Sequence, residues 1–288
     1  MFFNAQNKRV LLQDTEMDYV VFGQGLYPLV ILPGLSDGLQ TVRGQAMLLA
    51  WYYRQFSKDF RVYIFSRKNK ITQGYTTREM AKDQQKVLHQ LDIERAFVMG
   101  VSQGGMVAQY LAIEFPDLVK RLVIAVSISR PNMTIQAAVE SWKQMATADD
   151  YKSLIIDTME KTFSARQLRK YRPFYPVISR LGKPNSFRRF LIQAEACLDH
   201  DAYGELNRIT CPTLVIGGGS DLVVGPNSSE EMAAQIEDSQ LVIYPELGHG
   251  AYEETKDFNR QVKRFLLSAS SRAFPLEHFL WRKWFEMR

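Results

Sequence analysis

Up to about residue 129 the chain alternates short apolar runs with longer segments whose apolar residues recur at helical spacing. Apolar runs bounded by turn residues predict buried strands, and spacings of three and four predict helices packed on them. Val10 to Gln13 and Tyr19 to Phe22 read as two short strands that could pair as a hairpin. Leu29-Val30-Ile31-Leu32 is wholly apolar and stops at Pro33-Gly34, as a central strand followed by a tight loop does. Arg61 to Phe65, Ala96 to Met99 and Leu122 to Val126 read as further strands. Between them, Met47, Leu48, Trp51 and Phe56 predict a helix from about Thr41 to Phe56. Thr76 stands three residues before Glu79 as the cap of the next helix, and Met106 to Phe115 reads as an apolar helix.

After Val126 the alternation stops. From about Arg130 to Glu205 the chain reads as mostly helical, without an apolar run of the buried-strand type. Thr213 to Ile216 then resumes the pattern, followed by a helix from about Ser228 to Ile236, a strand Leu241 to Tyr244 and a helix from about Glu253 to Leu267. The expected organisation is an α/β core of residues 1–129 and 206–270, a helical insertion at 130–205, and a C-terminal extension at 271–288.

Composition narrows the class. With 288 residues, 46% hydrophobic and 23% charged, the chain can bury a full core. A formal charge of +5 is modest for this size and implies no nucleic-acid partner. Cys197 and Cys211 are the only cysteines, too few for a disulfide framework, so a reducing, cytoplasmic setting is expected. The first residues lack the order of a signal peptide, and no stretch approaches the roughly 20 apolar residues of a transmembrane helix.

The chemistry centres on Gly100-Val101-Ser102-Gln103-Gly104, placed between a predicted strand and a predicted helix. A nucleophilic serine needs a sharp turn that exposes its hydroxyl, and a side chain at Gly100 or Gly104 would crowd the neighbouring strand or helix. The hydroxyl is a weak nucleophile until a base takes its proton, so a histidine is required. Of four, His89 falls in a helix before Ser102, His200 ends the insertion and His278 lies in the extension. His249, in Gly248-His249-Gly250, directly follows the last strand and is the expected base. The acid should lie between them in sequence at the carboxyl end of a strand, and Asp221 after Ile216-Gly217-Gly218-Gly219-Ser220 fits, whereas Asp238 falls in a polar, solvated stretch. Negative charge on a substrate carbonyl oxygen calls for backbone amides: that of Gln103, and that of Leu35 in the loop after the Leu29 to Leu32 strand, where Gly34 permits close approach.

Gly100-Val101-Ser102-Gln103-Gly104-Gly105-Met106-Val107-Ala108-Gln109, with Phe115-Pro116 and the strand after it, resembles the α/β-hydrolase superfamily, especially its enol-lactonase and carboxylesterase-like branches. The resemblance reaches to about Leu267. It implies a mostly parallel eight-stranded sheet flanked by helices, a helical cap over the active site, and hydrolysis without cofactor or metal. It assigns nucleophile, acid and base to Ser102, Asp221 and His249, and the oxyanion donors to the amides of Leu35 and Gln103. Many members carry His-Gly where this chain has Pro33-Gly34; the Leu35 amide survives that change because it belongs to the backbone.

The insertion should set substrate shape. Its Lys161, Arg166, Arg169, Lys170, Arg172, Arg180, Lys183, Arg188 and Arg189 follow one another with no intervening Asp or Glu. A solvated face is the default explanation, and attraction to an anionic substrate or membrane surface the alternative. Trp142, Met145, Phe163, Tyr171, Phe174 and Tyr175 are candidates for an apolar pocket or for lid core. The aromatic and basic extension from Phe274 to Phe285 is expected to pack on its own domain or a second subunit, as in a homodimer, with peripheral membrane contact as the alternative. The leading expectation is a serine hydrolase cleaving a small-molecule carboxylic ester or lactone. Acyl transfer, carbon–carbon bond hydrolysis, perhydrolysis and a slow-turnover receptor are its rivals.

Overall fold

The computed structural model describes residues 2–12 and 15–268, so the aromatic extension and its expected docking lie outside the described residues. The strands are β1 (Gln6–Leu12), β2 (Thr15–Phe22), β3 (Tyr27–Leu32), β4 (Phe60–Phe65), β5 (Ala96–Val101), β6 (Val119–Ala125), β7 (Thr213–Gly218) and β8 (Ser239–Tyr244). They form one eight-stranded sheet in the order β1-β2-β4-β3-β5-β6-β7-β8. β1 and β2 pair antiparallel as the expected hairpin, β2 pairs antiparallel with β4, and every later pairing is parallel. The mostly parallel α/β sheet expected from the sequence is therefore what forms.

The helices are α1 (Ala46–Tyr52), α2 (Thr77–Gln90), α3 (Gln103–Glu114), α4 (Met133–Thr147), α5 (Tyr151–Thr162), α6 (Ala165–Tyr171), α7 (Tyr175–Ile178), α8 (Arg188–Leu198), α9 (Ser228–Gln235), α10 (Ala251–Glu254) and α11 (Lys256–Leu267). Successive strand residues point to opposite faces, so each central strand feeds two cores. Val30 and Leu32 of β3 pack with α2, α3 and α9. Leu29 and Ile31 pack with α1 and α11 on the other face. α2 begins with the capping box expected from Thr76 and Glu79.

α1 departs from expectation. It is shorter than Thr41 to Phe56, ending in a separate 3₁₀ turn at Arg54–Phe56, and Gly44 before it takes φ +82°. Its buried stripe is Ala46 and Ala50, continued by Tyr53 and Phe56, while Met47, Leu48 and Trp51 are each more than half exposed. Small side chains let the helix lie close on the sheet, so Met47, Leu48 and Trp51 face outward and, of the large apolar residues that suggested the helix, Phe56 alone is buried. The last predicted helix also divides, because Thr255 is extended and its hydroxyl caps α11 by accepting from the Asp257 N–H at 3.2 Å.

α4 to α8 connect β6 to β7. Asn132 starts α4, its Oδ1 accepting the N–H groups of Thr134 and Ile135 at 3.0 Å. Trp142, Phe190 and Ala194 from these helices share a cluster with Leu35 and Met106 of the sheet domain, so the inserted helices are bonded to the core by an apolar seam. Among the described residues no helix is long and apolar enough to cross a membrane.

Candidate active site

Ser102 ends the path of β5 and opens α3, with φ 54° and ψ −120°. A serine in that region is strained, and the surrounding backbone fixes it there. Its N–H donates to the Ala125 carbonyl at 2.9 Å, and the Ser127 hydroxyl donates to its carbonyl at 2.8 Å. The turn closes tightly: a Cβ on Gly100 would stand 2.2 Å from the Gly104 carbonyl oxygen, and one on Gly104 would stand 1.9 Å from that of Leu32. The glycine requirement read from the pentapeptide thus has a structural cause in β3 and α3.

Ser102 Oγ lies 3.0 Å from His249 Nε2, and His249 Nδ1 lies 2.9 Å from Asp221 Oδ2. Both His249 and Asp221 are buried, whereas Ser102 is partly exposed. The second carboxylate oxygen of Asp221 accepts the N–H groups of Val223 and Val224 at 2.8 and 2.9 Å. With Nδ1–H donating to the carboxylate, Nε2 is left to accept the serine proton. The loops carrying Asp221 and His249 are bonded together, Ser220 N–H donating to the Leu247 carbonyl at 3.0 Å, and Gly218 lies where a Cβ would meet the Gly248 carbonyl at 2.3 Å.

Leu35 and Gln103 each begin a helical segment, the 3₁₀ turn Leu35–Gly38 and α3. The N–H of a first helical residue has no acceptor within its own helix, which leaves both amides free for an anion. Gly34 brings this loop against Ser102, its Cβ direction meeting Ser102 Cβ at 3.3 Å.

The sequence did not point to what lies behind that loop. Arg67, two residues beyond β4, is 3% exposed. Its Nη2 donates to the Pro33 carbonyl at 2.8 Å and to Gln103 Oε1 at 3.2 Å, and its N–H donates to Asp37 Oδ2 at 3.0 Å. Arg189 of α8 adds Nη2 bonds of 2.8 Å to Asp37 Oδ2 and to the Arg67 carbonyl. Burial alone would raise the Asp37 carboxyl, but Arg189 and Arg67 outweigh it and hold it below the ordinary carboxylate range. Gln103 Nε2 donates to the Gln193 carbonyl at 2.8 Å and to Cys197 Sγ at 3.2 Å, and burial pushes the Cys197 thiol up to about 12. The sequence signal was slight: a charged residue two positions beyond a strand, and an acid within the loop after Pro33-Gly34.

Two contacts tie the inserted helices to these loops. The Gly250 N–H, beside His249, donates to the Thr162 carbonyl at 2.6 Å, and Glu254 accepts the Ser164 N–H at 2.7 Å. On the other side Arg189 holds Asp37. Of the aromatic candidates, Trp142 is buried with Met145 against it, and Phe163 packs on Tyr171 with ring centres 5.0 Å apart. Tyr175 donates to Glu160 at 2.9 Å, and Phe174 is exposed rather than lining a pocket. His89 is exposed on α2, and His200 is buried between Thr77 and Gln109, away from the Ser102–His249–Asp221 chain. Among the described residues no cluster of side chains could hold a metal ion.

Relatives carry the same architecture. A putative carbamate hydrolase of Caulobacter sp. is 27% identical over 246 residues, 81% of this chain and 89% of that protein. A 2-hydroxy-6-oxononadienedioate/2-hydroxy-6-oxononatrienedioate hydrolase of Paraburkholderia xenovorans is 26% identical over 266 residues, 88% of this chain and 91% of its own. The crystal structure of an enol-lactonase from Burkholderia xenovorans superposes with a TM-score of 0.77 at 22% identity, covering 91% of this chain and 100% of that one. The family model for the alpha/beta hydrolase fold matches residues 27–256, a span that begins at β3, takes in Ser102, Asp221 and His249, and ends in α11. Sheet order, elbow and family model agree, and the chain belongs to the α/β-hydrolase fold family.

Proposed function

We propose that this chain is a serine hydrolase that cleaves a carboxylic ester or lactone through an acyl-enzyme on Ser102. The observation that carries the reading is the unbroken chain from Ser102 Oγ through His249 to Asp221, at 3.0 and 2.9 Å. His249 Nε2 takes the hydroxyl proton as Oγ attacks the carbonyl carbon, and the Leu35 and Gln103 amides receive the charge that develops on oxygen. The protonated imidazole, held by Asp221, gives its proton to the departing alkoxide. Water, deprotonated by the same nitrogen, then releases the acid and frees Ser102.

The helices of residues 130–205 act in this proposal as a cap over a core of 1–129 and 206–270. Its support is their attachment to both reacting loops, at Thr162 beside His249 and at Arg189 on Asp37. Similarity to a putative carbamate hydrolase adds carbamates to the substrates worth testing.

The test is a panel of nitrophenyl esters of increasing acyl length, with one carbamate, run on wild type and Ser102→Ala. Wild type should release a burst of nitrophenol equal to the enzyme present and then turn over steadily. Activity surviving in Ser102→Ala would overturn the mechanism, and a burst without turnover would identify a receptor instead.

A further inference from the structure

The segment from Ala165 to Leu181 has two faces. Leu168 and Ser179 are buried, Tyr171 packs on Phe163, and Tyr175 donates to Glu160, so these four positions, spread over α6, α7 and the turn after α7, make the inner side of the segment. The opposite side faces water and is apolar at its C-terminal end. Phe174 is 60%, Val177 58% and Leu181 64% exposed, with Pro173 and Pro176 exposed beside them. Isolated exposed apolar residues are ordinary, but Phe174, Val177 and Leu181 fall together in the short stretch 174–181, across a 3₁₀ turn, α7 and the bend after it.

Cations flank that stretch. Between residues 161 and 189 the sequence holds nine Lys or Arg and no Asp or Glu. Four are occupied by acids outside the segment: Lys161 by Asp157, Arg172 by Glu160, Lys183 by Asp149 and Arg189 by Asp37. Arg166, Arg169, Lys170, Arg180 and Arg188 are exposed, and among the described residues none of them has an acidic partner. A solvated face accounts for the charges but not for Phe174, Val177 and Leu181 between them.

The geometry points to this face of the inserted helices as a docking surface for an anionic lipid bilayer. Apolar side chains more than half exposed suit interfacial insertion, and the exposed guanidinium and ammonium groups of the same stretch of chain supply charge complementary to lipid phosphates. An acidic protein partner would use the cations and leave the projecting Phe, Val and Leu without a role. The inference rests on the surface and is independent of the reaction proposed above.

Sedimentation of the full-length chain with phosphatidylcholine vesicles, with and without phosphatidylglycerol, tests it. Two variants accompany wild type: Phe174→Ser/Val177→Ser/Leu181→Ser, and Arg166→Gln/Arg169→Gln/Lys170→Gln/Arg180→Gln. Every replaced side chain is exposed, so melting temperature should stay at the wild-type value, which serves as the folding control. Wild type should bind the anionic vesicles at least tenfold more tightly than the neutral ones, and each variant should lose at least tenfold of that binding. Equal vesicle binding by all three proteins would place the contact elsewhere on the chain and overturn the inference. So would an absence of vesicle binding, or binding to poly-glutamate in its place, which would assign the surface to an acidic protein.

Discussion

Gly104 stands so close to Leu32 that a Cβ on the glycine would lie 1.9 Å from the leucine carbonyl oxygen. No rotamer relieves that overlap, because the Cβ position is fixed by the α3 backbone and the oxygen belongs to the β3 backbone. Gly104→Ala should therefore destabilise the fold by about 3 kcal/mol or more, the range of severe overpacking in a core. Urea unfolding followed by circular dichroism measures it, and a change below about 1 kcal/mol would show that the elbow has room to spare.

Asp221→Asn keeps the shape of the acid but removes the charge that steadies a protonated His249. The amide can also present N–H to Nδ1 and select the wrong tautomer. We expect kcat to fall by about four orders of magnitude with KM little changed, as for an interaction made only in the transition state. Steady-state kinetics on the best nitrophenyl ester measures the split. A loss confined to KM would mean that Asp221 binds substrate instead.

Arg67 fixes the Pro33 carbonyl and the Gln103 side chain from one nitrogen, so it steadies both arms that carry the Leu35 and Gln103 amides. Arg67→Met should lower kcat about tenfold or more while KM moves less, because the tethers matter most when oxygen becomes charged. It should also destabilise the protein by about 3 kcal/mol, since Asp37 stays buried with one guanidinium removed. Kinetics paired with urea unfolding separates the two effects, and unchanged kcat in a folded variant would remove Arg67 from the positioning of the amides.

His200 gives a pH dependence of known sign. Burial lowers its pKa from 6.5 to about 3, so the folded protein keeps the imidazole neutral where the unfolded chain protonates it. Its contribution is present in full above pH 6.5 and is lost as pH falls from there towards 3. In that window the unfolded state binds more protons, and the stability lost is up to about 1.4 kcal/mol per pH unit. His200→Gln, which can still hydrogen-bond Thr77 and Gln109, should flatten the slope of urea-unfolding stability between pH 7 and 5. Equal slopes would assign the acid sensitivity to other groups.

Ser102 could be singled out from a local signal, a glycine-bounded turn between strand and helix, whereas Asp221 and His249 were reached by chain order and by elimination among few candidates. α1 was misread because its buried stripe is made of Ala46 and Ala50, residues that carry little weight in a pattern of large apolar positions. Phe174 shows the converse, a large aromatic that the tertiary structure leaves outside. Arg67, Asp37 and Arg189 could not be joined from sequence, since their meeting depends on where β4, the loop after β3 and α8 end in space. Arg189 reads as part of a solvated basic run until the fold brings three distant segments to one point.

Among the contacts between the inserted helices and the candidate-site loops are Thr162 against Gly250 and Arg189 against Asp37, and the chain from Ala165 to Ser186 runs between those two anchors. That stretch is consequently a cassette. Exchanging it for one of different length or polarity, with Ser164 and Phe187 kept as splice points, would alter what the enzyme approaches and admits while the atoms that make and break bonds stay in register.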